Sequence, residues 1–132
     1  MADFEWPIRV YYEDTDSGGV VYHSNYLNFM ERARTEWLRS LGFEQDELIT
    51  NHQCIFAVHS MQIGFKRPAK FNDSLLVRSH LVKAVGARME FEQKIFRDNE
   101  LLCEAAVKIA CLDANRFRPK SLPSFILMEI TK

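Results

Sequence analysis

Between Tyr12 and Tyr26 the chain reads YEDTDSGGVVYHSNY, which places Glu13, Asp14 and Asp16 beside Gly18-Gly19 and, shortly after, His23. Carboxylates, permissive backbone and an imidazole in so short a run suit acyl hydrolysis. A carboxylate can take a proton from water or attack a carbonyl directly. Glycines let main chain approach a ligand with no Cβ in the way. If a helix starts after this run, its first N–H groups have no intrahelical acceptor and carry a partial positive potential, which can hold a developing oxyanion. The same residues also make an ordinary polar turn. Residue type does not choose among Glu13, Asp14 and Asp16: parity from an inward Tyr11 would carry to Glu13, but the loop breaks the period before Asp16.

Other chemistries find less support. His23 can donate to a substrate oxygen, orient a carboxylate or bond to solvent. His59 is the polar member of an apolar strand face, where a paired, neutral core histidine is expected; His52 and His80 suggest only surface or edge positions. The four His and three Cys offer no HxxxH or CxxC ligand core, so no metal and no cofactor is expected. Ser17 and Ser24 lack a G-x-S-x-G elbow, and Gly18-Gly19 lacks the Lys-Ser/Thr of a phosphate loop. Glu31 is expected to pair with Arg34 or Arg32. Tyr22, Tyr26 and Phe29 either line a pocket or fill the core. Cys54, Cys103 and Cys111 lie in apolar runs, where cysteine behaves as a small buried hydrophobe, and no disulfide framework is expected.

The formal charge is -1, which excludes a uniformly basic nucleic-acid footprint. Its distribution is uneven: residues 1–50 carry 4 basic and 10 acidic groups, whereas residues 51–132 carry 13 and 8. Lys66, Arg67, Lys70, Arg88, Arg116, Arg118 and Lys120 are therefore candidates for holding the phosphates of a nucleotide or phosphopantetheine carrier.

The elements that must position these residues follow from periodicity. At 132 residues with 47% hydrophobic composition the chain suits one domain, residues 1–132, with a substantial core. Ile8 to Tyr12 reads as a first strand that Pro7 can precede but not interrupt. Tyr26, Phe29, Met30, Ala33, Trp37 and Leu41 recur at spacings of three and four, predicting a helix over 25–41, with Ser24 or Asn25 as cap and Gly42 as stop. A short helical turn over 44–50 follows. Ile55, Ala57, His59, Met61, Ile63 and Phe65 then alternate. So do Leu75, Val77 and Leu81; Met89, Phe91, Gln93 and Ile95; and Cys103 through Cys111. Tight links at Gly86 and Asp98-Asn99 predict an antiparallel meander. The class is α+β: one sheet covered by the long helix, with a second subunit covering apolar second-face residues such as Phe56, Val58 and Leu102. The tail from Arg116 to Ile130 is a basic loop and an apolar segment of open form. No apolar run approaches the ~20 residues of a membrane span, and the acidic, polar start is unlike a signal peptide, which points to the cytosol.

The segment from Tyr12 to Leu38, YEDTDSGGVVYHSNYLNFMERARTEWL, resembles the signature of hot-dog fold acyl-CoA thioesterases of the 4-hydroxybenzoyl-CoA thioesterase class, in particular the branch encoded beside the Tol-Pal envelope genes. The likeness extends to Phe65-Lys66-Arg67-Pro68-Ala69 and Arg118-Pro119-Lys120. It implies an antiparallel sheet wrapped around one long central helix, homodimers or homotetramers with sites at the dimer interface, and hydrolysis of acyl-CoA thioesters to free acid and CoA. It assigns the catalytic carboxylate to Asp16 and carbonyl polarisation to the His23 main chain, with the His23 side chain positioning substrate or water. Gly19, Val20, Tyr22 and Tyr26 fall on the substrate pocket; Lys66, Arg67, Arg116 and Arg118 are the phosphate candidates. Ser17 stands where Ala or Pro is common. An acyl carrier protein is a second partner in keeping with the resemblance, and contact with the inner membrane would come through partners. The alternative is a module that binds acyl-CoA or acyl carrier protein without consuming it, in phospholipid metabolism; an envelope-associated structural subunit gives no reason for the acid, glycine and helix arrangement.

Overall fold

The computed structural model describes residues 3–132. Its elements are β1 (Phe4–Arg9), a 3-10 turn (Tyr12–Asp14), α1 (His23–Ser40), α2 (Gln45–His52), β2 (Cys54–Phe65), β3 (Ser74–Val85), β4 (Arg88–Arg97), β5 (Glu100–Asp113) and α3 (Ser124–Ile130). The strands make one antiparallel sheet in the order β1-β3-β4-β5-β2. Only β3-β4-β5 is a meander, closed by two-residue turns with Gly86 at φ 60° and Asp98 at φ 54°. β2 does not join it beside β3. The chain instead crosses from one edge of the sheet towards the other between Phe65 and Ser74.

Two strand expectations need correction. The first strand is Phe4–Arg9, and Pro7 lies inside it, opposite Leu76. An edge strand has one row of N–H groups with no neighbour to serve, so a missing donor is tolerated there. Tyr12 belongs to the 3-10 turn. In β2 the alternation breaks at His59, because Val58 pairs with Ile109 and Ser60 with Lys108. This bulge inserts one residue and so exchanges the faces. Phe56 and Val58 thereby share a side with Met61, Ile63 and Phe65, and Ile55 and Ala57 point the other way. His59 is exposed on the bulge and is not a core histidine.

α1 lies on the sheet through Tyr26, Phe29, Met30, Ala33, Trp37 and Leu38, all buried against Val77, Met89, Phe91, Ile95 and Val107. The Trp37 and Phe91 rings meet edge to face at 5.2 Å. Side chains of this size contribute about 1.5–3 kcal/mol each when fully buried. Leu41 is only partly buried, whereas Arg34, expected to be available to pair with Glu31, enters the core. Its Nη1 donates to Gln93 Oε1 at 2.8 Å, and Gln93 Nε2 donates to Met30 O and Ser79 Oγ. That buried relay ties α1 to β3 and β4. The form of the tail is settled by α3, whose Ile126 and Ile130 are fully buried. Among the described residues no helix is long and apolar enough to cross a membrane.

Candidate active site

The loop between β1 and α1 is folded back on itself. Asp16 N–H donates to Val20 O at 2.9 Å, Gly19 N–H donates to Asp16 O at 3.0 Å, and Thr15 bridges Val21. Gly19 takes φ 81°, a conformation that L side chains rarely adopt. Asp16 Oδ1 accepts the Gly18 N–H at 2.8 Å in a local turn, and its carboxylate is exposed. A Cβ at Gly18 would stand 3.2 Å from that oxygen. Glycine there leaves the carboxylate its room.

Asp14 has the opposite environment. It is buried at 5% exposure; Oδ2 accepts the Tyr11 N–H at 2.8 Å and Oδ1 accepts Asn25 Nδ2 at 2.9 Å. Its main-chain oxygen accepts the Tyr22 N–H. Asp14 therefore fastens the loop to the first turn of α1, while Asp16, two residues on, keeps a free oxygen. Asp14→Ala is expected to lower the stability of the fold by about 1–3 kcal/mol, the cost of leaving a buried donor without an acceptor; a thermal melt unchanged from the parent would contradict this role.

α1 begins one or two residues earlier than the spacing predicts. Its N-cap is Tyr22, with no side-chain cap, and no acid occupies the first turn. Neither Ser24 nor Asn25 caps the helix: Asn25 N–H donates to Tyr22 O and its side chain is taken by Asp14. Among the described residues no acceptor occupies the main-chain N–H of His23 or Ser24. The amino end thus keeps its unpaired donors and its potential.

These parts converge on an open cleft of about 220 Å³ lined by Val20, Val21, His23, Tyr26, Phe65, Lys66, Arg67 and Pro68. The exposed His23 ring stacks on Phe65 with centroids 4.7 Å apart. Tyr26 is buried below, and its hydroxyl oxygen accepts the Ala69 N–H at 3.0 Å. Burial holds its phenol above the usual tyrosine range, so it remains neutral. Asp16 is not among the lining residues; its main-chain N–H ties it to Val20, which is. Tyr22 is exposed next to His23.

The sequence profile of the thioesterase-like superfamily matches residues 10–130. The chain belongs to this superfamily. It is 46% identical over 120 residues to the acyl-CoA thioesterase YbgC of Haemophilus influenzae, covering 91% of this chain and 88% of the relative. A probable thioesterase from Bartonella henselae superposes with a TM-score of 0.88 at 38% identity, over 92% of this chain and 100% of the other. The 1,4-dihydroxy-2-naphthoyl-CoA thioesterase of Synechocystis superposes at 0.91 with 26% identity, over 99% and 97%. The hot-dog architecture read from the signature segment is the observed one.

In this thioesterase-like chain the expected phosphate ligands do not all meet. Lys66 and Arg67 border the cleft, within 3.5 Å of Glu104 and 3.0 Å of Glu100 respectively. Arg116 and Arg118 follow the far end of β5, where Asp113 accepts the Arg116 N–H and donates its own N–H to Arg118 O. Phe65 pairs with Cys103 and Cys54 with Asp113, so the two basic groups sit at opposite ends of one ladder, separated by about 33 Å of strand. Glu31 also differs from expectation. It accepts the Thr35 hydroxyl at 3.0 Å, since Arg34 is drawn into the core by Gln93. Phe65, Val21 and Pro68 were not singled out as cleft residues; Phe65 carried a signal, an aromatic ending an apolar face directly before Lys66-Arg67.

Proposed function

We propose that the chain is an acyl-CoA thioesterase in which Asp16 drives hydrolysis and the amino end of α1 holds the oxyanion. The observation that carries this reading is the contrast between the two aspartates. Asp14 has both carboxylate oxygens engaged within the chain, whereas Asp16 is exposed and keeps one free, on the loop that leads into a helix end with unpaired N–H groups. The relationship to YbgC supports the substrate class.

The thioester carbonyl would sit at the start of α1, its oxygen facing the N–H groups of His23 and Ser24, where preorganised donors stabilise the charge that develops on attack. Asp16 takes a proton from water or attacks the carbonyl itself. Thiolate is a good leaving group, so the step makes no demand for a strong general acid. The His23 ring, held flat on Phe65, and the buried Tyr26 form the wall that positions the acyl thioester.

The site is completed by a second copy. β2 lies at the edge of the sheet and is 12 residues long, with Val58 and Phe65 exposed. A long edge with unpaired N–H and C=O groups is a template for strand pairing. A two-fold pair of β2 strands runs antiparallel and sets the Phe65 end of one copy beside the Cys54 end of the other. Arg116 and Arg118 of the partner subunit then approach the Lys66 and Arg67 of the first, so phosphate contacts separated within one chain converge across the dimer.

Incubating purified protein with acyl-CoAs of graded chain length, with thiol release as readout, tests the activity. Turnover is expected; thioester left intact after prolonged incubation would overturn it in favour of a binding module for acyl-CoA or acyl carrier protein. Titration of free CoA tests the phosphate contacts. Lys66→Ala/Arg67→Ala and Arg116→Ala/Arg118→Ala are each expected to raise Kd at least about 5-fold, as loss of charge-assisted bonds of about 1 kcal/mol or more requires. Kd values equal to the parent's would remove those residues from the site.

A further inference from the structure

Far from the cleft of the same chain, at the other end of β2, two thiols lie against each other. Cys54 and Cys111 are diagonal neighbours across the β2-β5 ladder, since Cys54 faces Asp113 and Phe56 faces Cys111. Both are 1% exposed, and their Sγ atoms are 3.0 Å apart. A disulfide brings sulfurs to about 2.05 Å, so the closing movement is about an ångström. Cys103, the third thiol, is opposite Phe65 at the far end of the ladder.

Two surrounding features favour reaction at this pair over inert packing. Lys120 is held beside it: its N–H donates to Cys111 O at 2.9 Å and its Nζ to His52 O at 2.6 Å. A fixed ammonium near a thiol favours the thiolate, which is the nucleophile. A cavity of about 240 Å³, lined by Gln45, Ile49, Cys54, Ile55 and Phe56, adjoins Cys54 between α2 and the start of β2. A small oxidant fits there.

We propose that Cys54 and Cys111 form a reversible dithiol-disulfide site oxidised by small hydroperoxides. The Cys54 thiolate attacks the terminal oxygen of the hydroperoxide, releasing an alcohol, or water from hydrogen peroxide, and becomes a sulfenic acid. Cys111 then attacks that sulfur and water leaves. Two thiols give up two electrons and two protons, and hydrogen peroxide is reduced to two waters. A thiol reductant reverses the bond by exchange. The product links β2 to β5 at the end carrying α2.

The test treats the purified, folded full chain with hydrogen peroxide, quenches with catalase, then denatures in N-ethylmaleimide and maps the peptides by mass spectrometry. Alkylatable thiols are expected to fall from three to one, with Cys54 and Cys111 in a linked peptide, and dithiothreitol is expected to restore three. Three thiols remaining, a sulfinic acid on either residue with no linked peptide, or a bond involving Cys103 would each overturn the proposal. In Cys111→Ser, oxidation is expected to stop at a dimedone-reactive sulfenic acid on Cys54. Should that variant not fold, mapping of the parent chain alone decides the question.

Discussion

Asp16→Asn is expected to fold as the parent does and to lose at least about 100-fold in kcat/KM for acyl-CoA hydrolysis, the order of effect of a positioned general base. Asparagine preserves the carbonyl oxygen that accepts the Gly18 N–H, so the turn and the geometry around Gly19 survive. It removes the anion, and with it both the proton acceptor and the nucleophile. Since the side chain is exposed, the unfolding free energy should stay within the usual range for surface changes, about 0.5 kcal/mol. A purified, folded variant with undiminished kcat/KM would take the chemistry away from Asp16. The comparison with Asp14→Ala sharpens the test. One aspartate should cost activity and spare the melt; the other should lower the melt.

The second large effect is structural. Gln93→Leu is expected to destabilise the fold by about 3–5 kcal/mol, because it strands a buried guanidinium. Arg34 is 8% exposed, and burial already pulls its guanidinium below the ordinary arginine value. Among the described residues Gln93 Oε1 is the hydrogen-bond acceptor it has, and Gln93 itself is fully buried. The same substitution leaves Ser79 Oγ and Met30 O without the Gln93 amide. Replacing both partners, Arg34→Met with Gln93→Leu, should recover most of the loss, because no uncompensated charge remains. Denaturant unfolding of the two single variants and the pair measures the coupling. Strictly additive losses would show that the relay is not what joins α1 to β3 and β4. The relay also bears on the proposed site, because α1 carries at its first turn the unpaired N–H groups proposed to hold the oxyanion.

Much of the fold was legible because its signals are local. The helix period from Tyr26 to Trp37, the turn residues at Gly86 and Asp98-Asn99, and the alternation from Met89 to Ile95 each act over a few residues, and each appears where expected. The misreadings have equally definite causes. Pro7 is acceptable in a strand only at an edge, and edge position is a property of the sheet. The bulge at His59 changes no composition, yet one extra residue reverses every side chain beyond it. The Arg34 side chain turned inward because a buried acceptor 59 positions away waited for it.

The sequence by itself determined the class of fold, the signature segment around Asp16 and His23, and the presence of a helix whose start could meet a carbonyl, because residue type and short-range spacing govern those features. Tertiary structure alone decided which aspartate has both carboxylate oxygens engaged within the chain and which stays exposed, that the helix end is left uncapped, that Phe65 backs His23, and that the two basic groups lie at opposite ends of a ladder. Each depends on how the chain folds back between distant residues, and side chains of the same type two positions apart acquire different chemistry only through the neighbours that the fold gives them.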